Sequence, residues 1–145
     1  MNSEKDLQFV SDLRTVVTRL IKKLRRESAT AQQLSLTERS TLGLLLQNGG
    51  LLPSELAAME KITNQSMSQI LNHLLEMGLI IRTNSETDKR KVIITLTDKG
   101  KQLILQIHNE RDEWLAKAIT GTCTAEEQEI IKKVISLLTK VVDFE

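Results

Sequence analysis

Residues 63–100 read TNQSMSQILNHLLEMGLIIRTNSETDKRKVIITLTDKG, and the first part of this stretch has the pattern of an amphipathic helix. Its apolar residues recur at helical spacing, which at about 100° per residue places them on one side. They are Met67, Ile70, Leu71, Leu74 and Leu75. The opposite side is polar and uncharged, and carries Gln65, Ser66, Ser68, Gln69, Asn72 and His73. Such side chains can bond to base edges and phosphates, but a helix face that meets only water would also be polar.

The second part of the stretch has the pattern of a charged β-hairpin. Gly78 predicts the end of the helix, because glycine adopts the left-handed backbone conformation at little steric cost. Residues 79–82 and 91–96 are rich in aliphatic and β-branched side chains, which predicts two strands joined by a polar tip at 83–89. A short charged hairpin beside a polar helix indicates a winged helix-turn-helix.

Three segments of this stretch, GLIIR (78–82), DKR (88–90) and ITLTDKG (94–100), resemble the signature of the MarR (multiple antibiotic resistance regulator) family of bacterial transcriptional regulators. The resemblance covers essentially the whole chain. It implies a mainly α fold with a small β-hairpin wing, in which a winged helix-turn-helix is flanked by N- and C-terminal dimerisation helices. It also implies one domain at 1–145, with the DNA-binding region at 35–97 and the dimerisation helices at 3–28 and 98–145.

The resemblance implies a set of DNA contacts. In proteins of that family the wing-tip arginine, which corresponds to Arg90, enters the minor groove, and Asp88 would hold it. A planar guanidinium suits a narrow, electronegative groove, although the same two residues would also make an ordinary surface ion pair. The DNA-contacting residues predicted in this way are Ser54, Lys61, Thr63, Gln65, Ser66, Ser68, Gln69, Asn72, His73, Asp88, Lys89, Arg90 and Lys91.

The recognition helix departs from the family pattern at two positions. Members often carry arginine where this chain has Gln69 and His73. A neutral glutamine favours adenine, which it can contact with two hydrogen bonds, over the guanine that arginine prefers. The base preference of relatives is therefore not carried over to this chain.

The length and net charge of the chain limit the functions it can have. A chain of 145 residues is long enough to bury one core, and its net charge is only +1. Any DNA binding must therefore come from local placement of charge. Residues 14–26 carry six cations and no acid, which predicts a solvated helix face, with phosphate contact as the alternative.

Local capping signals predict where the helices begin. The pairs Ser3 and Asp6, Ser35 and Glu38, and Thr124 and Glu127 have the spacing of capping boxes, and Thr97 can cap a helix running to Gly121. Residues 29–33 are predicted to be a linker. Pro53 suits the first position of a short helix at 54–61, which lies about two residues from the next helix, as in a helix-turn-helix.

The two terminal helices are predicted to need a partner. Each carries a long apolar stripe, represented by Leu13, Leu20 and Val17 in the first helix and by Ile131, Ile135 and Leu138 in the last. Apolar faces of this size usually mark an interface, and a second copy would form a homodimer. A dimer would place two recognition helices about one DNA turn apart, which suits a palindromic site on double-stranded DNA.

The composition argues against several other classes. No apolar run approaches the roughly 20 residues of a membrane span, no secretory signal is visible, and there is one cysteine, so we expect a cytoplasmic protein without membrane contact. With two histidines, no tyrosine and no phosphate-binding loop, we expect no enzyme activity, cofactor or metal. His108 and Asp112 could share a metal and Cys123 could sense oxidants, but a solvated pair and an unreactive turn thiol are the simpler interpretations.

Two questions about function stay open at this level. Many relatives bind small, often aromatic, acids, which implies a small-molecule effector of unknown identity, with Arg14, Arg39 and His108 as candidate anchors. The main prediction is a ligand-responsive repressor. The alternative is a dimeric protein-interaction module of the same fold that does not read DNA, which the near-neutral charge and the recognition helix without arginine would favour.

Overall fold

The computed structural model describes residues 3–145, which form six α-helices and one two-stranded antiparallel sheet. The helices are α1 (Glu4–Arg26), α2 (Leu36–Asn48), α3 (Pro53–Glu60), α4 (Asn64–Glu76), α5 (Asp98–Thr122) and α6 (Ala125–Val142). The strands are β1 (Ile80–Asn84) and β2 (Val92–Leu96), and a 3₁₀ helix covers Thr30–Gln33. The mainly α fold with a small hairpin that the sequence predicts is confirmed. The first two residues of the predicted 1–145 domain lie outside the described part.

Side-chain caps set the helix starts. In α1, α2 and α6 the predicted capping boxes are present, because each cap hydroxyl accepts from a backbone N–H three residues on and the acidic side chain there accepts in return. Thr63 and Thr97 cap α4 and α5 in the simpler way, each through its hydroxyl. These bonds satisfy N–H groups that have no partner within the helix.

Gly78 ends the recognition helix α4, as predicted. Its φ is 73°, in the left-handed region. The N–H groups of Gly78 and Leu79 donate to the carbonyls of Leu75 and Leu74, each at 3.0 Å. This is the Schellman arrangement, which closes the helix and turns the chain directly into the wing.

Several boundaries differ from the sequence predictions, among them the short helix, which covers Pro53–Glu60 and not 54–61, and the second strand, which starts at Val92 and not at 91. Strand β1 starts at Ile80, because Leu79 still belongs to the helix cap, and it continues to Asn84 because its polar last residues pair with β2. Residues 29–33 contain a 3₁₀ turn, too short to show periodicity. Helix α5 continues through Gly121 to Thr122, since that glycine does not take a positive φ.

The core lies between α2, α3, α4, the wing and the first half of α5. Met67, Leu71 and Leu74 of α4 are buried, which confirms the inward stripe of the recognition helix. Burial of each such side chain contributes about 1.5–3 kcal/mol. Leu51 extends the sheet, because its N–H and carbonyl exchange hydrogen bonds with Ile94 of β2 at 3.1 and 2.8 Å.

The start of α5 holds the end of the recognition helix. The hydroxyl of Thr97 donates to the Gly78 carbonyl at 2.7 Å, and the Lys99 ammonium donates to the Met77 carbonyl at 2.9 Å. Gly100 brings the two segments into contact, since a Cβ there would lie 2.0 Å from the Leu79 carbonyl oxygen. Among the described residues, no helix has both the length and the apolar content that crossing a bilayer requires.

Candidate nucleic-acid interface

The polar face of α4 is exposed to solvent. Gln65, Ser68 and Gln69 are exposed, and they lie opposite the buried stripe of Met67 and Leu71. Thr63 and Ser66 are exposed too, but their hydroxyls bond to each other at 2.9 Å as part of the helix cap. Five of the predicted side chains therefore project from the helix cap and the first two turns, and two of them are partly engaged in capping.

His73, also predicted to contact DNA, is held by a partner on another helix. Its ring nitrogen Nδ1 is hydrogen-bonded to Oε2 of Glu38 in the first turn of α2. Glu38 is buried, whereas about half of the His73 side chain is exposed. Helix α4 is thus tied to α2 through the last of its predicted DNA-contacting residues.

Asn72 is held by Arg82, which is not among the predicted site residues. Nη2 of Arg82, on β1, donates to Oδ1 of Asn72 at 2.9 Å, and both side chains are exposed. In the strand predicted at 79–82, Arg82 follows three aliphatic residues, so it was interpreted only as a strand residue. Its place in the GLIIR segment, directly after the recognition helix, was the available signal.

The wing tip presents Arg90 on an ordered turn. The carboxylate of Asp88 accepts from the backbone N–H of Arg90 at 3.1 Å and from Nε of Arg90 at 3.3 Å. At the base of the tip, the Ser85 hydroxyl accepts from the backbone N–H groups of Thr87 and Asp88. The backbone N–H of Ser85 donates to the carbonyl of Lys91. Since 93% of the Arg90 side chain is exposed, the pairing orients it without removing it from solvent.

A shallow groove of about 470 Å³ joins α3, α4 and the wing. Ser54, Ser68 and Lys91, each predicted to contact DNA, line it together. Asn64, which was not predicted, lies there as well, and its position directly after the α4 cap was the signal. Lys61 and Lys89 are exposed elsewhere on the same elements, with Lys61 in the left-handed conformation (φ 56°) at the end of α3.

A second cavity, of about 380 Å³, lies between α2 and α5. Arg39 and His108, two of the three candidate effector anchors, line it, and so does Arg111. Arg111 was missed, although it lies one helical turn after His108. The third candidate, Arg14, lies on the exposed side of α1 and donates to Ser11 at 3.5 Å.

The cavity carries two arginines, each with one buried guanidinium nitrogen that lacks a hydrogen-bond partner among the described residues. Arg39 is buried, and among the described residues its Nη1 and the Nε of Arg111 have no hydrogen-bond partner. Burial lowers the pKa of Arg39, and the charges of Arg111 and Arg25 lower it further. Because a guanidinium keeps its charge in proteins, the two arginines make the cavity suited to an anionic ligand.

Neither alternative chemistry gains support from the geometry. In the described part of the chain, no three His, Cys, Asp or Glu side chains lie together as metal ligands. Cys123 ends α5 and is partly buried beside the hydroxyl of Thr122.

Known proteins with similar sequences are HTH-type transcriptional regulators. The sequence profile of the MarR family matches residues 32–91. FarR, an HTH-type transcriptional regulator of Neisseria gonorrhoeae, is 33% identical over 100 residues, which are 69% of this chain and 68% of FarR. An HTH-type transcriptional regulator of Mycobacterium tuberculosis is 29% identical over 140 residues, 97% of this chain and 96% of that protein.

Solved structures share the fold over nearly the whole chain. One of them is FabT of Streptococcus pneumoniae in complex with DNA, which is 22% identical, covers 98% of each chain and has a TM-score of 0.69.

Proposed function

The chain belongs to the MarR family of winged helix-turn-helix, DNA-binding transcriptional regulators, and on this basis we propose that it is a homodimeric repressor of palindromic operators, released by a small-molecule effector. We place it in the cytoplasm, where bacterial DNA lies.

The main support for DNA binding is that the polar face of α4 and the wing lie side by side. The exposed polar face of α4 supplies donors and acceptors of the kind that read base edges in a major groove. Arg90, oriented by Asp88, projects from the wing tip and would reach the adjacent minor groove. The groove lined by Ser54 and Lys91 would meet phosphates, which position the protein without reading sequence.

The homodimer is supported by the solvent exposure of the two terminal helices, α1 and α6. No residue of α1 or α6 is buried within the part of the chain that the structure describes. Large apolar side chains on both are open to solvent, including Leu7 at 68%, Ile135 at 62% and Val142 at 80% exposure. An apolar surface of this extent needs a partner, and pairing these helices with those of a second copy would cover it.

The effector would bind in the cavity between α2 and α5. Its two unpartnered guanidinium nitrogens, on Arg39 and Arg111, favour a small acid. Glu38, next to Arg39, bonds to His73 on the recognition helix. A ligand that displaced the first turn of α2 would therefore bias the position of α4, and so the match of the dimer to its operator.

The competing function is a dimeric protein-interaction module without DNA reading, favoured by the net charge of +1 and the recognition helix without arginine. Salt dependence separates the two. Duplex binding that weakens steeply as salt rises supports the regulator, because each neutralised phosphate releases counterions. Absence of duplex binding at low salt, for a protein shown to be folded, supports the module.

A further inference from the structure

The contact between Asn72 and Arg82 crosses from the recognition helix to the wing. Asn72 lies in the second half of α4, and Arg82 lies at the centre of β1, paired with Ile94 of β2. The two side chains meet through Nη2 of the arginine and Oδ1 of the asparagine at 2.9 Å. Both are exposed on the side of α4 that carries the predicted base contacts.

The chemistry of the pair fixes the orientation of the amide. An asparagine amide can face a neighbour with either its oxygen or its NH₂ group, but a guanidinium has only donors. The atom of Asn72 that faces Arg82 must therefore be the oxygen. The amide NH₂ group then points away from Arg82, and the remaining N–H groups of Arg82 stay available beside it.

We propose, on the basis of the function proposed above, that Arg82 is a specificity-determining residue that turns Asn72 into a guanine reader. Free asparagine prefers adenine, because its oxygen accepts from N6 while its NH₂ group donates to N7. With the oxygen held by Arg82, the pair presents donors, which match the O6 and N7 acceptors of guanine. The wing thereby supplies the cation that the recognition helix itself lacks.

The test compares operator preferences of the whole protein and its variants by selection from random duplexes. Wild type should enrich guanine at one position in each half-site. Arg82→Ala should lose that preference or change it to adenine, with affinity for the wild-type operator reduced roughly tenfold or more. Arg82→Lys, which keeps a donor for the amide oxygen, should keep guanine. Lys117→Ala removes an exposed cation from α5 and should leave the preference unchanged.

A double-mutant cycle shows whether Arg82 acts through Asn72. Asn72→Ala should lose the same guanine, and adding Arg82→Ala to it should change the preference no further, because interacting side chains give non-additive effects. If Arg82→Ala weakens all sequences equally, Arg82 is a phosphate contact and the inference is overturned. If Arg82→Ala does not fold, Asn72→Ala alone tests the inference. Retention of the guanine preference by Asn72→Ala then overturns the inference. A wild type that selects no operator refutes the proposed function, whereas one whose operator is insensitive to both residues refutes only this inference.

Discussion

Glu38 in the first turn of α2 bonds to two partners, the backbone N–H of Ser35 at 2.8 Å and Nδ1 of His73 on the recognition helix. An ionised carboxylate only accepts, so Nδ1 of His73 carries the proton. A single buried side chain thus caps one helix and fixes the direction of another. This link also joins the recognition helix to the turn that carries Arg39 of the cavity.

The Glu38 contact predicts an acid-sensitive stability. Burial raises the pKa of Glu38, but hydrogen bonds from Ser35 and His73 outweigh burial, and the pKa lies below its ordinary value. A lowered pKa stabilises the folded state above the ordinary glutamate value, and this stability is lost as pH falls below about 4. Glu38→Gln should lower the free energy of unfolding by about 1–3 kcal/mol at pH 7, since a charged hydrogen bond is lost.

Urea unfolding of wild type and Glu38→Gln at several pH values between 3 and 7 checks this prediction. The difference between the two proteins should shrink as the pH falls through the lowered pKa of Glu38, because the wild-type carboxylate then becomes protonated. A difference that stays constant over the whole range would show that the Glu38 charge does not contribute.

Gly100 is predicted to be required for docking α5 onto the end of α4. An alanine Cβ there would lie 2.0 Å from the backbone oxygen of Leu79, and backbone yields less readily than a side chain. Gly100→Ala should destabilise the protein by about 1–3 kcal/mol or more in urea unfolding. Gly43→Ala is the matched control, because a Cβ there meets nothing within 4 Å, and it should be neutral or stabilising by about 0.5–1 kcal/mol. Equal effects of the two changes would refute the close contact.

Arg90 is predicted to contribute to DNA binding and not to folding. Its ion pair with Asp88 is exposed, so Arg90→Ala should leave the unfolding midpoint unchanged. Binding to the selected operator should weaken by about 1–3 kcal/mol, measured by fluorescence anisotropy. A loss below a few tenths of a kcal/mol would contradict the assignment of the wing.

The apolar face of α6 is predicted to hold the dimer. Ile135→Asp places a charge on that face, where Ile135 is 62% exposed in the single chain. Burying an unpaired carboxylate is unfavourable, so sedimentation should show monomers and operator binding should be lost. Ser136→Glu, on the opposite side of the same helix, should remain dimeric. An Ile135→Asp protein that is still dimeric would move the interface elsewhere.

The cavity between α2 and α5 is predicted to bind small acids through the unpartnered guanidinium nitrogens of Arg39 and Arg111. Benzoate serves as a probe and should raise the melting temperature of the wild type, because a ligand that binds only the folded state stabilises it. Arg111→Met should abolish this increase, while Lys117→Met, an exposed cation on the same helix, should keep it. A similar increase for wild type and Arg111→Met would show that benzoate acts elsewhere.

Local signals predicted most of the fold. The hydroxyls of Ser35 and Thr124 cap the helices where their spacing to an acidic residue indicated, and Gly78 has the expected positive φ. Burial of Met67 and Leu71 follows from periodicity alone. These features depend on a few neighbouring residues, so the sequence is enough to place them.

The contacts that shape the candidate site could not be predicted in this way. Glu38 and His73 are 35 positions apart, and Arg82 meets Asn72 only because the Gly78 turn folds the wing back along α4. The charge of the cavity likewise depends on how α2 packs against α5. Pairings between elements are set by packing geometry, which residue spacing does not specify.

The most direct test of the proposed regulator is selection of bound sequences from random DNA duplexes at moderate salt, followed by sequencing. A homodimer with two recognition helices should enrich a palindrome whose half-sites are centred one helical turn apart, roughly ten base pairs. A folded, dimeric protein that enriches no sequence would contradict the proposed function and favour the protein-interaction module.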